Sequence, residues 1–481
     1  MKTQNTLSFE YSYLNLPEKF YSFEYPQVFK YPEFVKINDK LCRNIGIDPE
    51  NLVKLIDEIK SGSYNKKFFS QAYSGHQFGH FTNLGDGRAL ILGEHIIENG
   101  DRFDIQLKGS GRTVYARNGD GKATLKAMLR EYLISEAMYN LGIPTSRSLA
   151  VLKTGEKVYR EQENEGAAIF RLMKSHIRIG TFEYAANFCT KNDLKELAYY
   201  TIKRLYPELI NEDNPIQSLL NKIIKIQVNL VSDWMRVGFI HGVMNTDNVA
   251  LSGETFDYGP CAFMNYYNPA TVYSSIDHFG RYAYGNQPRI IKWNLARFAE
   301  TLLPILHDDE NMAIQMAQNE INEFDKLWET EYYKKMLNKI GFETASPGLY
   351  FLIDDILKLM QKNYLDFTNT FFMLSNQEGR EIISNKNDEL KQWVKTWEKF
   401  IDDRGGFENS IPIMQKNNPI VIPRNHIVER ALDEAIAGNT YLFENLLKKI
   451  SNPYSYDIET DEYMNPPDFA FETSYQTFCG T

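Results

Sequence analysis

The run G-F-I-H-G-V-M-N-T-D-N-V-A-L-S-G-E-T-F-D-Y-G fills positions 238–259 and carries His241, Asp247, Asn248 and Asp257. Asn248 and Asp257 offer an amide carbonyl and a carboxylate. Hard oxygen donors of that kind suit a divalent cation such as Mg2+, whose octahedral shell is completed by water or phosphate oxygens. Asp247 is a further carboxylate, able to take a proton from a hydroxyl within hydrogen-bond reach. A loop of this composition could also do no more than reverse the chain, because Asp and Asn are turn formers.

Protein kinases carry the same order of parts. A catalytic loop H-R-D-x-x-x-x-N is followed by a strand and by D-F-G, and the Asn and second Asp hold magnesium on the nucleotide phosphates. His241 and Asn248 stand seven positions apart, which is the kinase spacing. The kinase base would stand two after the histidine, where this chain has Val243, which accepts no proton. The metal apparatus is kept and the standard base is lost. The nearest carboxylate to replace it is Asp247.

Other residues upstream could meet an anion. Gly85-Asp86-Gly87-Arg88 precedes a strand-like Ala89-Leu90-Ile91-Leu92. Glycines let backbone N–H groups approach phosphate closely, although a glycine pair before a strand reads first as a hairpin turn. Lys108 ends the alternating run Arg102 to Lys108, in which Phe103, Ile105 and Leu107 mark one face of a half-buried strand. It is either a phosphate partner or an exposed edge lysine. Asn118-Gly119-Asp120-Gly121-Lys122 is another glycine loop, and Ala123 after the lysine excludes a Walker A site. His76 and His80 fall at i, i+4, but Gly79 between them argues against a helix and for a structural role. Arg171 shares a strand face with Ile169 and Met173, and Arg178 follows shortly. Buried arginine needs an anion or a carboxylate, and the pair could clamp a phosphate or form surface ion pairs.

The elements that must position these residues are legible as periods. Ala123 to Leu141 carries an apolar stripe of Leu125, Met128, Leu129, Tyr132 and Leu133, stopped by Gly142 and Pro144. Glu131 lies on its flank. A kinase pairs a strand lysine with a glutamate on the next helix, and Lys108 and Glu131 stand in that order. Strands are expected over 148–152 and 167–173, with a short one at Val249-Ala250-Leu251. Helices are expected over 193–205, 216–237, much of 293–400, and one from Ile427 to Ile450. The first 60 residues, rich in Tyr, Phe and Pro, read as an extended segment ending in a helix near Pro49.

Composition limits the classes. The chain has 481 residues, 43% apolar and 14% aromatic, enough for a large core in two or three lobes. A net charge of −10 disfavours general nucleic-acid binding, which needs cations for phosphate. Four scattered cysteines, Cys42, Cys189, Cys261 and Cys479, form no C-x-x-C pair and suit a reducing compartment. No apolar run reaches a membrane-spanning length, and the N-terminus has neither signal-peptide nor transit character. The expected location is the cytoplasm, and the expected state a monomer.

Taken together, these residues resemble the selenoprotein O family, also called the YdiU family, whose members are kinase-fold protein adenylyltransferases. The resemblance covers nearly the whole chain. It rests on G-H-Q-F-G-H-F, L-G-D-G-R-A, D-I-Q-L-K-G-S-G-R-T, N-G-D-G-K-A with L-R-E-Y-L-I-S-E-A, H-G-V-M-N-T-D-N, F-D-Y-G-P-C-A-F-M and G-R-Y-A-Y-G-N-Q-P. It implies an α+β, kinase-like bilobal fold, with a β-rich N-lobe holding one key helix and a mostly helical C-lobe. The expected boundaries are an extension at 1–60, an N-lobe at 61–175, a C-lobe at 176–400 and a C-terminal extension at 401–481.

The function implied is transfer of AMP from ATP to Ser, Thr or Tyr hydroxyls of target proteins. ATP would be bound in reverse, with the γ-phosphate buried and the α-phosphate facing the acceptor. The matching nucleotide residues are Gly85, Gly87, Arg88, Lys108, Asp120, Gly121, Arg171 and Arg178, with Glu131 holding Lys108. Asn248 and Asp257 would bind Mg2+, or Mn2+ in its place, and Asp247 would be the base. A reversed nucleotide explains why the usual kinase base is dispensable. Family members also end in a selenocysteine or cysteine that can pair with a cysteine in the activation segment. Cys479 matches the first, but Tyr273 stands where the second is expected, leaving a free thiol or a bridge to Cys261. Two other readings stay open: a phosphotransferase on the same fold, and an inactive nucleotide-binding scaffold.

Overall fold

The computed structural model describes residues 7–64, 68–456 and 462–478. Its N-terminal part is one antiparallel sheet. The strands are β1 (Tyr21–Glu24), β2 (Glu33–Ile37), β3 (Phe68–Gln71), β6 (Ala89–Ile96), β7 (Arg102–Lys108), β8 (Ala123–Thr124), β9 (Arg147–Tyr159) and β10 (Glu163–Met173). Their spatial order is β1-β3-β6-β7-β10-β9-β2, with β8 added to β10. The aromatic segment at the start of the chain therefore supplies a strand to each edge of the sheet. That arrangement covers backbone groups that an open edge would expose. A separate hairpin, β4 (Ser74–Gln77) and β5 (His80–Asn83), stands beside the sheet.

The alternation in β7 is real, but both of its faces are buried. Ile105 and Leu107 join Leu90, Leu92, Leu149 and Phe170 in an apolar cluster with helices α1 (Asp39–Asn44) and α2 (Pro49–Ser61). Asp104, Gln106 and Lys108 point the other way and are buried as well. A polar face inside a protein demands partners, and these partners make up the site described below. Register completes the layout: Lys108 pairs with Ala89 on β6 and Ile169 on β10, and Gln106 pairs with Arg171.

Helix α3 (Leu125–Asn140) lies across the sheet. Thr124 caps its start by accepting from the Ala127 N–H, and Gly142 takes the left-handed conformation just past its end, at φ +78°. Twelve of the sixteen residues of α3 are buried, because two further helices, Asn425–Ile436 and Tyr441–Ile450, cover its outer side. The sequence predicts a single helix from Ile427 to Ile450. The chain breaks instead at Gly438, which has φ +97°, a left-handed conformation that ends a helix rather than continuing it.

The C-terminal body is helical. It includes α4 (Ile179–Phe188), α5 (Lys191–Leu205), α6 (Pro215–Val237), α7 (Gln287–Leu306) and α8 (Glu310–Lys339). Helices from Tyr350 to Asn417 gather on a second apolar cluster around Trp393 and Trp397. Asn214 caps α6 by accepting from the Gln217 N–H, and Gly238, at φ +74°, ends it. The chain then forms β11 (Phe239–Ile240), which pairs with β12 (Ala262–Phe263). The chemistry-bearing loop is thus strung between α6 and β12. Val249 to Leu251, expected as a strand, contributes only a bridge between Ala250 and Arg178. Among the described residues, no helix is long and apolar enough to cross a membrane.

The molecule is therefore a β-rich N-terminal lobe with one central helix on a mostly helical body. The lysine strand, glutamate helix, His–Asn loop and D-Y-G turn follow one another in kinase order.

Candidate active site

A cleft of about 850 Å³ opens between the sheet and the helical body. It is lined by Gly85, Gly87, Arg88, Lys108, Asp120, Gly121, Arg171, Arg178, Asp247, Asn248 and Asp257. Glu131 lies behind this lining, on α3. Residues spread over more than 170 positions of sequence thus meet on one surface, within the size range of small-molecule sites.

The floor is a charge network. Lys108 Nζ lies 2.8 Å from Glu131 Oε2 and 2.5 Å from Asp257 Oδ1. Arg171 donates from Nε to Glu131 Oε1 at 2.8 Å and from Nη1 to Gln106 Oε1 at 3.1 Å. It also stands 3.4 Å from Asp257 Oδ1. Arg171 is therefore not a surface ion pair. It is buried, its cation shared between two carboxylates. Burial alone would raise the Glu131 carboxyl, yet Arg171 and Lys108 hold it below its usual value. At Asp257 burial likewise opposes ionisation, and Lys108 with Arg171 overcomes it, holding the carboxyl well below the usual range. Both groups stay ionised at neutral pH.

Asp257 sits at φ +63°, a conformation rare for a residue with a side chain. Strain of that kind collects at functional sites. Both cations meet its carboxylate at Oδ1, and Oδ2 takes neither of them. Asn248 donates from Nδ2 to the Val243 carbonyl at 3.1 Å, which leaves its side-chain oxygen as the acceptor end. Among the described residues, no three His, Cys, Asp or Glu side chains cluster as a self-sufficient metal site. The residues present do fit a hard cation that takes one carboxylate and one amide oxygen from the protein and the rest from phosphate and water.

The loop before Asn248 is pinned. His241 is buried and kept neutral by that burial; its Nε2 faces the Phe256 carbonyl at 3.1 Å. Val243 occupies the position of the missing base. Asp247 lies in a short helical turn, Thr246–Asn248. Burial pushes its carboxyl up to about 7, with Arg178 pulling the other way. Its Oδ1 is buried without a hydrogen-bond partner. Arg178 donates to the backbone carbonyl of Asp247 at 3.2 Å and stacks over Tyr73, 4.1 Å from the ring centre. Its carboxylate neighbour, Asp86, is 3.7 Å away.

Two glycine turns form the rim. Gly85 has φ +134°, and a Cβ there would overlap the Tyr115 ring. The Gly109 N–H donates to the Arg88 carbonyl at 2.8 Å, and the Gly111 N–H donates to the Gly121 carbonyl at 3.2 Å. The two turns are thereby laced to the strand end that carries Lys108. Asp120 is committed to Arg160, at 2.9 Å, which holds its carboxyl below the usual value. Arg160 also lines the cleft, and sequence reasoning missed it, because an arginine in a hairpin turn carries no local signal.

His76 and His80 share the β4–β5 hairpin rather than a helix face. His76 Nδ1 lies 2.6 Å from Glu183 Oε1. Glu183 is another residue the sequence reading passed over. The proposed Cys479 pairing lies outside the described residues. Among the described residues Cys261 has no disulfide partner; it is buried, with its thiol pushed up to about 12 by that burial.

A family model described as protein adenylyltransferase SelO matches residues 3–451. A protein nucleotidyltransferase YdiU of Bacillus cereus (strain B4264) is 49% identical over 479 residues, spanning 98% of this chain and 97% of its own. One from Bacillus mycoides (strain KBAB4) is 47% identical over 489 residues, spanning 100% of this chain and 99% of its own. Among solved structures, ROP2 from Toxoplasma gondii, which has a protein-kinase fold, covers 70% of this chain and 85% of its own at 9% identity. The TM-score of that match is 0.24, and it adds nothing to the reading above.

Proposed function

The chain belongs to the SelO family of protein adenylyltransferases, and from that premise we propose that it transfers AMP from ATP to Ser, Thr or Tyr hydroxyls of target proteins, with the nucleotide reversed relative to a kinase. The observation that carries this reading is the exchange at the catalytic loop. Val243 stands where a γ-phosphoryl transferase has its base, while the buried Asp247, four residues on, faces the same cleft.

The acceptor hydroxyl would attack the α-phosphorus. A new oxygen–phosphorus bond forms, the bond from the α-phosphorus to the bridging oxygen breaks, and pyrophosphate leaves. Asp247 takes the hydroxyl proton. Lys108, Arg171 and Arg178 supply positive charge at the cleft floor, where pyrophosphate charge would gather. Glu131 keeps Lys108 and Arg171 aimed inward. Gly85, Gly87, Arg88, Asp120 and Gly121 would enclose the remainder of the nucleotide at the rim. Mg2+, or Mn2+ in its place, would be held by Asn248 and Asp257 and would draw charge from phosphate oxygens. Four scattered cysteines without a C-x-x-C pair suit a reducing, cytoplasmic setting, and a single chain carries all the residues this chemistry uses.

The test is parallel labelling with ATP carrying radioactive phosphorus at the α or the γ position, on wild type and Asp257→Ala. The expected result is α-label on protein, lost in the variant. γ-label alone would make the enzyme a phosphotransferase and overturn the assignment of Asp247. ATP binding with neither label would make it a scaffold.

A further inference from the structure

Asp247 is aimed by its neighbours rather than by its own hydrogen bonds. Its Oδ1 is buried and unpartnered. The residue before it, Thr246, is fully buried and uses its hydroxyl in both directions. Oγ1 accepts from the His76 N–H of β4 at 2.7 Å and donates to Glu183 Oε2 of α4 at 2.6 Å. The other oxygen of Glu183 meets His76 Nδ1 at 2.6 Å. Asn245, one residue earlier, accepts at Oδ1 from the Phe78 N–H at 3.0 Å and from the Tyr282 hydroxyl at 2.6 Å.

The backbones of β4 and α4 also wall in the carboxylate. A Cβ on Gly75 would overlap the Asp247 carboxyl, and one on Gly180 would overlap the Ser74 carbonyl and come 3.3 Å from Asp247 Cα. Neither Thr246 nor Glu183 lines the cleft, so neither touches substrate.

We propose that Thr246 and Glu183 are positioning residues for adenylyl transfer: together with the His76 backbone they clamp the loop so that Asp247 faces the acceptor hydroxyl. This rests on the adenylyl-transfer reading above. A buried carboxylate is costly and needs full satisfaction. An apolar pair of the same volume would pack the same space at less cost, but it would not fix the direction of the loop. Rigid support of this kind is what a reacting group requires, since a displacement near 1 Å is worth about 100-fold in rate.

The experiment measures steady-state transfer of α-label from ATP to reduced casein. Its subjects are wild type, Thr246→Val, Thr246→Ser and Glu183→Gln. Valine keeps the shape of threonine and removes both hydrogen bonds, so kcat should fall about 100-fold while KM for ATP holds. Serine should restore kcat to near the wild-type value. Glu183→Gln weakens two charge-assisted bonds and should lower kcat about tenfold, again with KM unchanged; it serves alone should Thr246→Val not fold.

Wild-type kcat in Thr246→Val or Glu183→Gln would overturn the clamp. So would a raised KM for ATP with kcat intact, or a serine variant as impaired as the valine one. Absence of α-label in wild type would overturn the functional reading itself, which is a different failure.

Discussion

Lys108 on β7 reaches the Asp257 carboxylate at 2.5 Å, joining the central strand of the sheet to the D-Y-G turn of the helical body. The same ammonium lies 2.8 Å from Glu131 on α3. Sheet, helix and D-Y-G turn are therefore fastened at one nitrogen. Lys108→Met should abolish α-label transfer, by about 100-fold or more, because leaving-group charge loses a donor. It should also cost stability, by about 1–3 kcal/mol, since it leaves buried carboxylate oxygens short of a partner. Denaturant unfolding alongside the labelling assay reads both. Full activity in a folded Lys108→Met would remove the lysine from the mechanism.

Asp247→Asn keeps the shape of the loop and removes the proton acceptor. Label transfer should drop by about 100-fold to 10,000-fold, the range for a positioned general base. ATP binding, read by thermal shift, should persist. A variant that still transfers label at a comparable rate would show that another group takes the hydroxyl proton.

Much of the site was legible because each residue ends a strong pattern. Lys108 closes an alternating strand, Glu131 flanks a capped apolar stripe, Asn248 keeps a known spacing after His241, and Asp257 follows in the D-Y-G that comes next in kinase order. The rest depends on tertiary contacts. β1 and β2 arise in an aromatic, proline-rich segment with no period, and they become strands by pairing with β3 and β9. The G-H-Q-F-G-H-F run forms a hairpin by placing Phe78 and Gly79 at φ +50° and +89°, a turn that an aromatic residue does not advertise. Glu183 and Thr246 are 63 positions apart, and nothing local in either segment announces their hydrogen bond.

Glu254 provides a pH test away from the cleft. Burial raises its carboxyl from the usual 4.5 to about 7, while its oxygen accepts from the Lys174 N–H at 2.9 Å. A raised carboxyl means that the fold binds more protons than the unfolded chain. Its contribution is full below the unfolded value and is lost as pH rises through about 7. Glutamine can accept the same hydrogen bond and carries no charge. Glu254→Gln should therefore be more stable than wild type at pH 8, by about 3 kcal/mol, with the difference shrinking toward pH 5. Urea unfolding at both pH values measures it. An equal difference at the two would show that Glu254 is ionised in the fold throughout.

Asp257 and Asn248 should make nucleotide binding depend on the metal. Stabilisation by a ligand grows with its concentration relative to its dissociation constant, so a site whose cation bridges protein and phosphate gains most from ATP and Mg2+ together. Asp257→Asn leaves Lys108 its Glu131 partner and keeps the amide oxygen as a weak ligand. The fold should survive, and the extra shift that Mg2+ gives with ATP should shrink. Asn248→Ala removes the amide oxygen without touching the charge network, and the same loss is expected. Chelation with EDTA should bring wild type down to the level of both variants. If ATP stabilises wild type equally with and without Mg2+, the two oxygens do not hold a cation on the nucleotide. The Asp257 carboxylate and the Asn248 amide nitrogen would then be placed in the cleft by Lys108 and Val243, which they already contact.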